Sequence, residues 1–360
     1  MHFRYPNRFM TSISPSITVL IDTYNYAHFI EEAIESVIGQ DFPAEELEIL
    51  VVDDGSTDDT RERVEKYAGR VEYLYKANGG QASAFNSGFA RAKGEIVALL
   101  DADDYWLPGK LRRVAEEFAR HPEAGLVYHP FRELRMDTGE WKDGSFNAVS
   151  GDVTGDMKKI LSYTACQTSG LSFCKRFVEG MLPLNEAMTI QADGLLAALV
   201  IFLAPVVAIE EPLAVYRIHG RNMYFQSAQV IDKERQGRRV STLKVILEEM
   251  DKWLREHGRD LKQPEILAFR KRWQLLYEME EFQLESPGRV RFFFHLMRAM
   301  STMNPCFNAR IQAVNLLNAI GALLFGYKHY ARLDEWRIGL KKGGIPAVLR
   351  EGERGDKMDR

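Results

Sequence analysis

Cysteine is scarce in this chain. There are three in 360 residues, Cys166, Cys174 and Cys306, with no C-x-x-C spacing among them. They suit free thiols in a reducing cytoplasm better than a disulfide framework. No stretch of 18 uninterrupted apolar residues occurs, so no membrane-crossing helix is expected. The opening "MHFRYPNRFMTSIS" carries Arg4 and Arg8 but no apolar run after them, unlike a secretory leader. Excess positive charge is missing too: the formal net charge is −4, which argues against nucleic acid as a partner. No G-x-G-x-x-G follows the first apolar run, and no G-x-x-x-x-G-K-[ST] exists. A dinucleotide-dependent dehydrogenase and a P-loop ATPase are thereby excluded.

What is present is an alternation. "ITVLI" (17–21), "LEILVV" (47–52), "VEYLYK" (71–76), "EIVALL" (95–100) and "GLVYHPF" (125–131) read as strands. Between them, residues 29–40, 57–68, 80–94 and 108–122 read as helices. The first has an apolar stripe of Phe29, Ile30, Ala33, Ile34, Val37 and Ile38, and the third ends at Gly94. The rhythm predicts an α/β fold, a doubly wound and mostly parallel sheet. With 46% hydrophobic residues, the chain can bury one large domain plus an appendage, or two domains.

Sheets of this kind bind ligands at the carboxyl ends of their strands. Four strands here end in polar clusters: "DTYN" (22–25), "DDGSTDD" (53–59), "ANGGQ" (77–81) and "DADD" (101–104). Asp58 and Asp59 fit helix capping. Asp101, Asp103 and Asp104, set at the end of a buried strand, repel one another and need positive charge. Two carboxylates spaced D-x-D can hold Mg²⁺ or Mn²⁺, which leave positions open for phosphate oxygens.

Four segments in this order resemble the inverting GT-A glycosyltransferases of family 2: "VLIDTYNYAHFIEEAIESVIGQDFP", "ILVVDDGSTDDT", "NGGQASAFNSGFARAKGEIVALLDADDYWLP" and "AVYRIHG" (214–220). The resemblance covers about residues 15–222. It implies a GT-A catalytic domain over 15–227, with 15–104 binding a nucleotide-sugar donor and 105–227 facing the acceptor. It further implies that Asp54 accepts a hydrogen bond from a uracil ring, with Asp53 supporting the pocket, and that Thr23 and Tyr24 line base and ribose. Asp101 would face the ribose or the metal's water shell, Asp103 would ligate the metal, and His219 would reach the metal or the diphosphate. Arg217 would add positive charge there. One position departs: Asp22 stands where the family usually has Pro, and Lys76 or Arg91 could pair with it.

An inverting transfer needs a base for the acceptor hydroxyl. By the resemblance the base falls in "TIQADGLLAALVIFLAP" (189–205), where Asp193 is the acid and Ala192 replaces the family's Glu. Capping of the following helix is the competing reading for Asp193, the resemblance favouring the base, and Glu186 and Asp156 are the alternative acids. The polar stretch 162–176 would face the acceptor. No Q-x-x-R-W occurs, which points away from processive polymer synthases and towards single addition to a glycan or lipid-linked acceptor in cell-surface polysaccharide synthesis. A non-catalytic nucleotide-sugar-binding scaffold on the same fold is the alternative. A nucleotidyltransferase would want a Gly-rich basic loop after the first strand, and "DTYNYAHF" offers none.

From 228 to 340 the pattern becomes helical, with amphipathic periods over 240–258 and 264–286; 341–360 reads as a tail. Residues 287–333 hold Arg289, Arg291, Arg298, Arg310, Lys328 and Arg332 but no Asp or Glu. That composition suits peripheral contact with an anionic membrane on its cytoplasmic face; packing inside the protein or a homodimer interface is the competing reading.

Overall fold

The structure, a computed structural model, describes residues 16–222 without 145, 165 and 166, then 233–285, and 290, 293, 294 and 297 beyond. The chain begins β1 (Ile17–Thr23), α1 (Ala27–Ile38), β2 (Leu47–Asp53), α2 (Thr60–Glu65), β3 (Glu72–Tyr75), α3 (Gln81–Arg91), β4 (Ile96–Asp101), β5 (Tyr105–Trp106) and α4 (Lys110–Arg120). It continues β6 (Leu126–Tyr128), β7 (Phe131–Arg135), β8 (Trp141–Asp143), α5 (Met157–Ser162), β9 (Leu171–Cys174), α6 (Lys175–Val178), α7 (Ala192–Val200), β10 (Val206–Ala208) and β11 (Ala214–Ile218). Two long helices follow, α8 (Lys233–Glu256) and α9 (Pro264–Glu285).

The apolar runs form the centre of a seven-stranded sheet ordered β10-β6-β9-β4-β1-β2-β3, in which only β9 runs antiparallel to its neighbours. Ile17, Val19, Leu20 and Ile21 of β1 and Ile96 to Leu100 of β4 are fully buried, as a sheet covered on both faces requires. On α1 the stripe Ala27, Ile30, Ala33, Ile34 and Val37 faces the core. Parallel strands in register end together: Asp22 pairs with both Val52 and Asp101, and Thr23 with Asp53. The acidic strand ends therefore meet at one edge. The amide of Asp54 donates to Thr23, and that of Ala102 to Asp22, so the loops leave the edge together.

Several expectations change. The helix expected over 57–68 is shortened to α2, and the one expected over 80–94 ends at Arg91 rather than at Gly94. The run 125–131 is two strands: β6 joins the large sheet, while β7 joins a second, four-stranded sheet ordered β5-β11-β7-β8. His129 and Pro130 separate them, and Pro offers no amide for a ladder. The helical region expected over 228–340 is also divided differently. Residues 238–273 belong to the same compact unit as the described residues up to 222. A second unit takes in 233–237 and 274–285, where Gln236 donates to the carbonyl and carboxylate of Glu280 at 2.8 and 2.6 Å.

Gly94 is needed for close approach. A Cβ there would stand 2.4 Å from the amide nitrogen of Thr18 and 2.8 Å from the carbonyl carbon of Ile17. Gly94→Ala should cost about 1–3 kcal/mol in urea unfolding, since β1 and β4 must part to admit it. Gly155→Ala meets nothing within 4 Å and should stay within about 0.5 kcal/mol of the unsubstituted protein.

Candidate active site

The loop after β4 places Asp101, Asp103 and Asp104 so that one oxygen of each lies within 4.8 Å of the others. Their environments differ. Asp104 is 1% exposed, accepts from the Ser169 hydroxyl at 2.6 Å and from the Arg217 amide at 3.1 Å, and so ties the loop to its surroundings. Asp103 faces His219, whose Nε2 lies 3.0 Å from its carboxylate, and is also hydrogen-bonded to the Tyr26 hydroxyl. Asp101 lies beside Asp22, within hydrogen-bonding reach of its carboxyl.

Burial, then the neighbouring carboxylates, hold Asp101 and Asp104 well above the ordinary Asp value. Burial, with the charges of Asp193 and Asp103, pushes Asp22 up to about 7. Neither base considered for Asp22 reaches it. Lys76 pairs with Asp54 at 2.6 Å, and Arg91 pairs with Glu72. Asp22 instead shares its place with Asp101, because parallel register sets the two side by side.

Arg217 is also placed otherwise than expected. It is 2% exposed, and its guanidinium donates to Glu32 and to the carbonyls of Asp103 and, at 3.2 Å, Asp104. The group lies 4.6 Å from the Phe29 ring centre and 5.3 Å from that of Tyr105. It grips the aspartate loop from within rather than reaching out. His219, two residues on, packs on Phe29 at 4.8 Å and is fixed through its amide, which donates to Asn222 at 2.8 Å.

At the end of β2, Asp53 is buried and accepts from the Ser56 amide at 2.7 Å and the Tyr73 hydroxyl at 2.5 Å. Asp54 accepts from Lys76 and from the amides of Gly79 and Gly80, at 3.0 and 2.7 Å. The Gly79 amide also reaches the second oxygen at 3.2 Å, so each oxygen of Asp54 has two donors. Thr23 is buried, and Tyr24 is exposed beside it at the end of β1. Asp58 accepts from the amides of Thr60 and Ala27, both at 3.1 Å, joining the starts of α2 and α1; Asp59 makes no side-chain cap.

Asp193 is the second residue of α7; its carboxylate accepts from the Thr168 hydroxyl at 3.1 Å and is also hydrogen-bonded to the first-turn amides of Asp193 and Gly194. Burial raises its pKa, and its charge is felt at Asp22 and Asp101. The alternatives are elsewhere: Asp156 caps α5, accepting from the amides of Lys158 and Lys159, and Glu186 is exposed, 3.4 Å from Asn86. Within the stretch expected to face the acceptor, Thr168 and Ser169 instead hold Asp193 and Asp104; residues 165 and 166 lie outside the described residues. The Ser169 carbonyl is held by the buried Lys110 at 2.6 Å and by the Trp106 indole at 2.9 Å. The parts played by Tyr26, Glu32, Lys110 and Ser169 carry no local sequence signal, since each depends on a partner far along the chain; Asn222 bonds locally, to His219 and Arg217.

The description "Glycosyl transferase family 2" matches residues 18–178. An uncharacterized glycosyltransferase of Nostoc sp. is 35% identical over 231 residues, 61% of this chain and 69% of that protein. An uncharacterized protein of Mycobacterium bovis is 27% identical over 216 residues, 58% of this chain and 60% of its own length. Among solved structures, TarS 1-349 of S. aureus in complex with UDP-GlcNAc aligns with a TM-score of 0.53 at 17% identity, over 92% of this chain and 93% of that one. The mannosyltransferase PcManGT of Pyrobaculum calidifontis, in complex with GDP-Man and Mn²⁺, aligns with 0.53 at 20% identity, over 89% and 83%. These structural likenesses establish a shared fold.

The aspartates can be sorted by stability in EDTA. Asp104→Ala strands two buried donors and should cost about 1–3 kcal/mol. Asp103→Asn keeps an oxygen for Tyr26 and removes a like charge, so its melting temperature should match or exceed that of the unsubstituted protein. Equal losses for the two would put both in the same supporting role.

Proposed function

The chain belongs to glycosyl transferase family 2, and from that premise we propose that it moves one sugar from a nucleotide-sugar, of the UDP type, to a hydroxyl of a glycan or lipid-linked acceptor. Transfer is with inversion and requires a divalent cation. The observation that carries this reading is the nearness of two unlike carboxyl sites. One is a cluster of hard oxygen donors beside an imidazole, and the other is a half-buried Asp193 whose charge reaches that cluster.

Mg²⁺ or Mn²⁺ fits the donor set. Asp101, Asp103 and His219 would hold it, because Asp104 is already committed to Ser169 and Arg217. Such a cation supplies a Lewis acid for the negative charge that gathers on a departing diphosphate. Asp54 would accept from a base N–H by exchanging one of its present donors, with Asp53 fixing the loop behind it, and Tyr24 offers an exposed ring to the base or ribose. Asp193, oriented by Thr168, takes the proton from the acceptor hydroxyl as that oxygen attacks the anomeric carbon. A raised pKa brings a carboxylate nearer the operating pH, where a base is most effective.

The test is a thermal-shift panel of UDP-, GDP- and dTDP-sugars with and without Mn²⁺, followed by transfer assays on Asp193→Asn. A UDP-sugar with Mn²⁺ should stabilise the protein by about 2.7 kcal/mol at 100-fold saturation. Asp193→Asn should keep that shift and lose transfer by about 10²- to 10⁴-fold. A shift indifferent to Mn²⁺ removes the cation from the reading, and retained transfer removes Asp193 as base.

The lipid-linked alternative draws on residues 287–333, which lie almost wholly outside the described residues. Among the described residues no helix is long and apolar enough to cross a membrane. Six basic residues with no acid in that stretch would favour a peripheral hold, each worth about 1 kcal/mol near an anionic leaflet. Sedimentation with anionic vesicles should show binding that weakens with salt and disappears when 287–333 are deleted. No binding at low salt would leave a soluble glycan as the acceptor.

A further inference from the structure

Arg217 connects two places that the sequence keeps far apart. Its backbone lies in β11, paired with β5 through Ala214–Trp106 and Val215–Tyr105. Its amide donates to the Asp104 carboxylate, and its side chain donates to the carbonyls of both Asp103 and Asp104. The main chain on either side of the Asp103–Asp104 peptide is thus fixed by one guanidinium. Pulling these carbonyls inward turns the Asp103 carboxylate the other way, towards His219.

A guanidinium has five donors in a fixed plane, so its own orientation decides what it can hold. The carboxylate that orients it is Glu32, on α1. Glu32 is unlike the rest of the assembly. Its side chain is 58% exposed, whereas that of Arg217 is 2% exposed. Its neighbour Glu31 turns to Lys66 and Arg63 instead. Phe29, one turn before, supplies a ring face and a carbonyl at 3.5 Å to the same guanidinium. Among the described residues, Glu32 is the carboxylate paired with Arg217, while the aspartates it serves present their main-chain oxygens.

We propose that Glu32 is a positioning residue for the divalent cation. Acting through Arg217, it fixes the peptide between Asp103 and Asp104, so that Asp101, Asp103 and His219 converge on one ion. The proposal rests on the cation reading given above. It adds a surface glutamate on a helix that bears none of the ligands. Groups that orient metal ligands from outside typically contribute about 10- to 100-fold in affinity.

The experiment is Mn²⁺ binding, without nucleotide, followed by the electron paramagnetic resonance signal of the free ion, together with melting temperature in EDTA. Glu32→Ala should weaken Mn²⁺ by about 10-fold or more while melting in EDTA stays near that of the unsubstituted protein. Glu32→Gln keeps an oxygen for the guanidinium and should fall between. A merely structural role would lower melting and leave affinity per folded molecule unchanged. Unsubstituted protein that binds Mn²⁺, with Glu32→Ala and Glu32→Gln binding it equally well, overturns the positioning role and spares the cation. Unsubstituted protein that binds no Mn²⁺ overturns both.

Discussion

Carboxyl groups crowded at the end of a buried sheet set the terms for this molecule. Asp22, Asp101, Asp103, Asp104 and Asp193 lie close enough for their charges to be felt by one another. Uncompensated, such a group cannot be fully ionised. The protein deals with it in two ways. Some charge is withheld, as burial and neighbouring acids raise the pKa of Asp22, Asp101, Asp104 and Asp193. Some is held by Arg217, whose side chain is buried directly under the loop.

The same crowding explains the shape of the surroundings. Asp104 is consumed in joining β4's loop to Ser169 and β11, which leaves Asp103 and Asp101 on a fixed backbone beside His219 and Asp22. Lys110 and Trp106 grip the Ser169 carbonyl, and Thr168 next to it holds Asp193. One short turn, 168–170, therefore fixes Asp104 and Asp193 relative to each other.

The end of β2 follows a milder version of this logic. Asp53 and Asp54 are buried yet each has its donors supplied locally, by Ser56, Tyr73, Lys76 and the Gly79–Gly80 amides. These bonds order the loops after β2 and β3 before any ligand arrives, which lowers the entropy that binding must overcome.

Much of this was legible in the sequence by itself. Apolar runs alternating with amphipathic helices determine an α/β sheet, because period and burial are local properties of a strand or helix. The acidic strand ends at 22, 53–54 and 101–104 had to meet at one edge once the strands were parallel. Family-level motifs marked Asp54, Asp103, His219 and Asp193 as candidates. Only the tertiary structure decided which acid does what. Asp104 differs from Asp103 because Ser169 and Arg217 arrive from 65 and 113 residues away. Asp156 is a cap because it begins α5, and Arg217 faces inward because Glu32 on α1 meets it there. Hydrogen-bond partners distant in sequence leave no periodic trace, so the division of labour among identical side chains belongs to the fold.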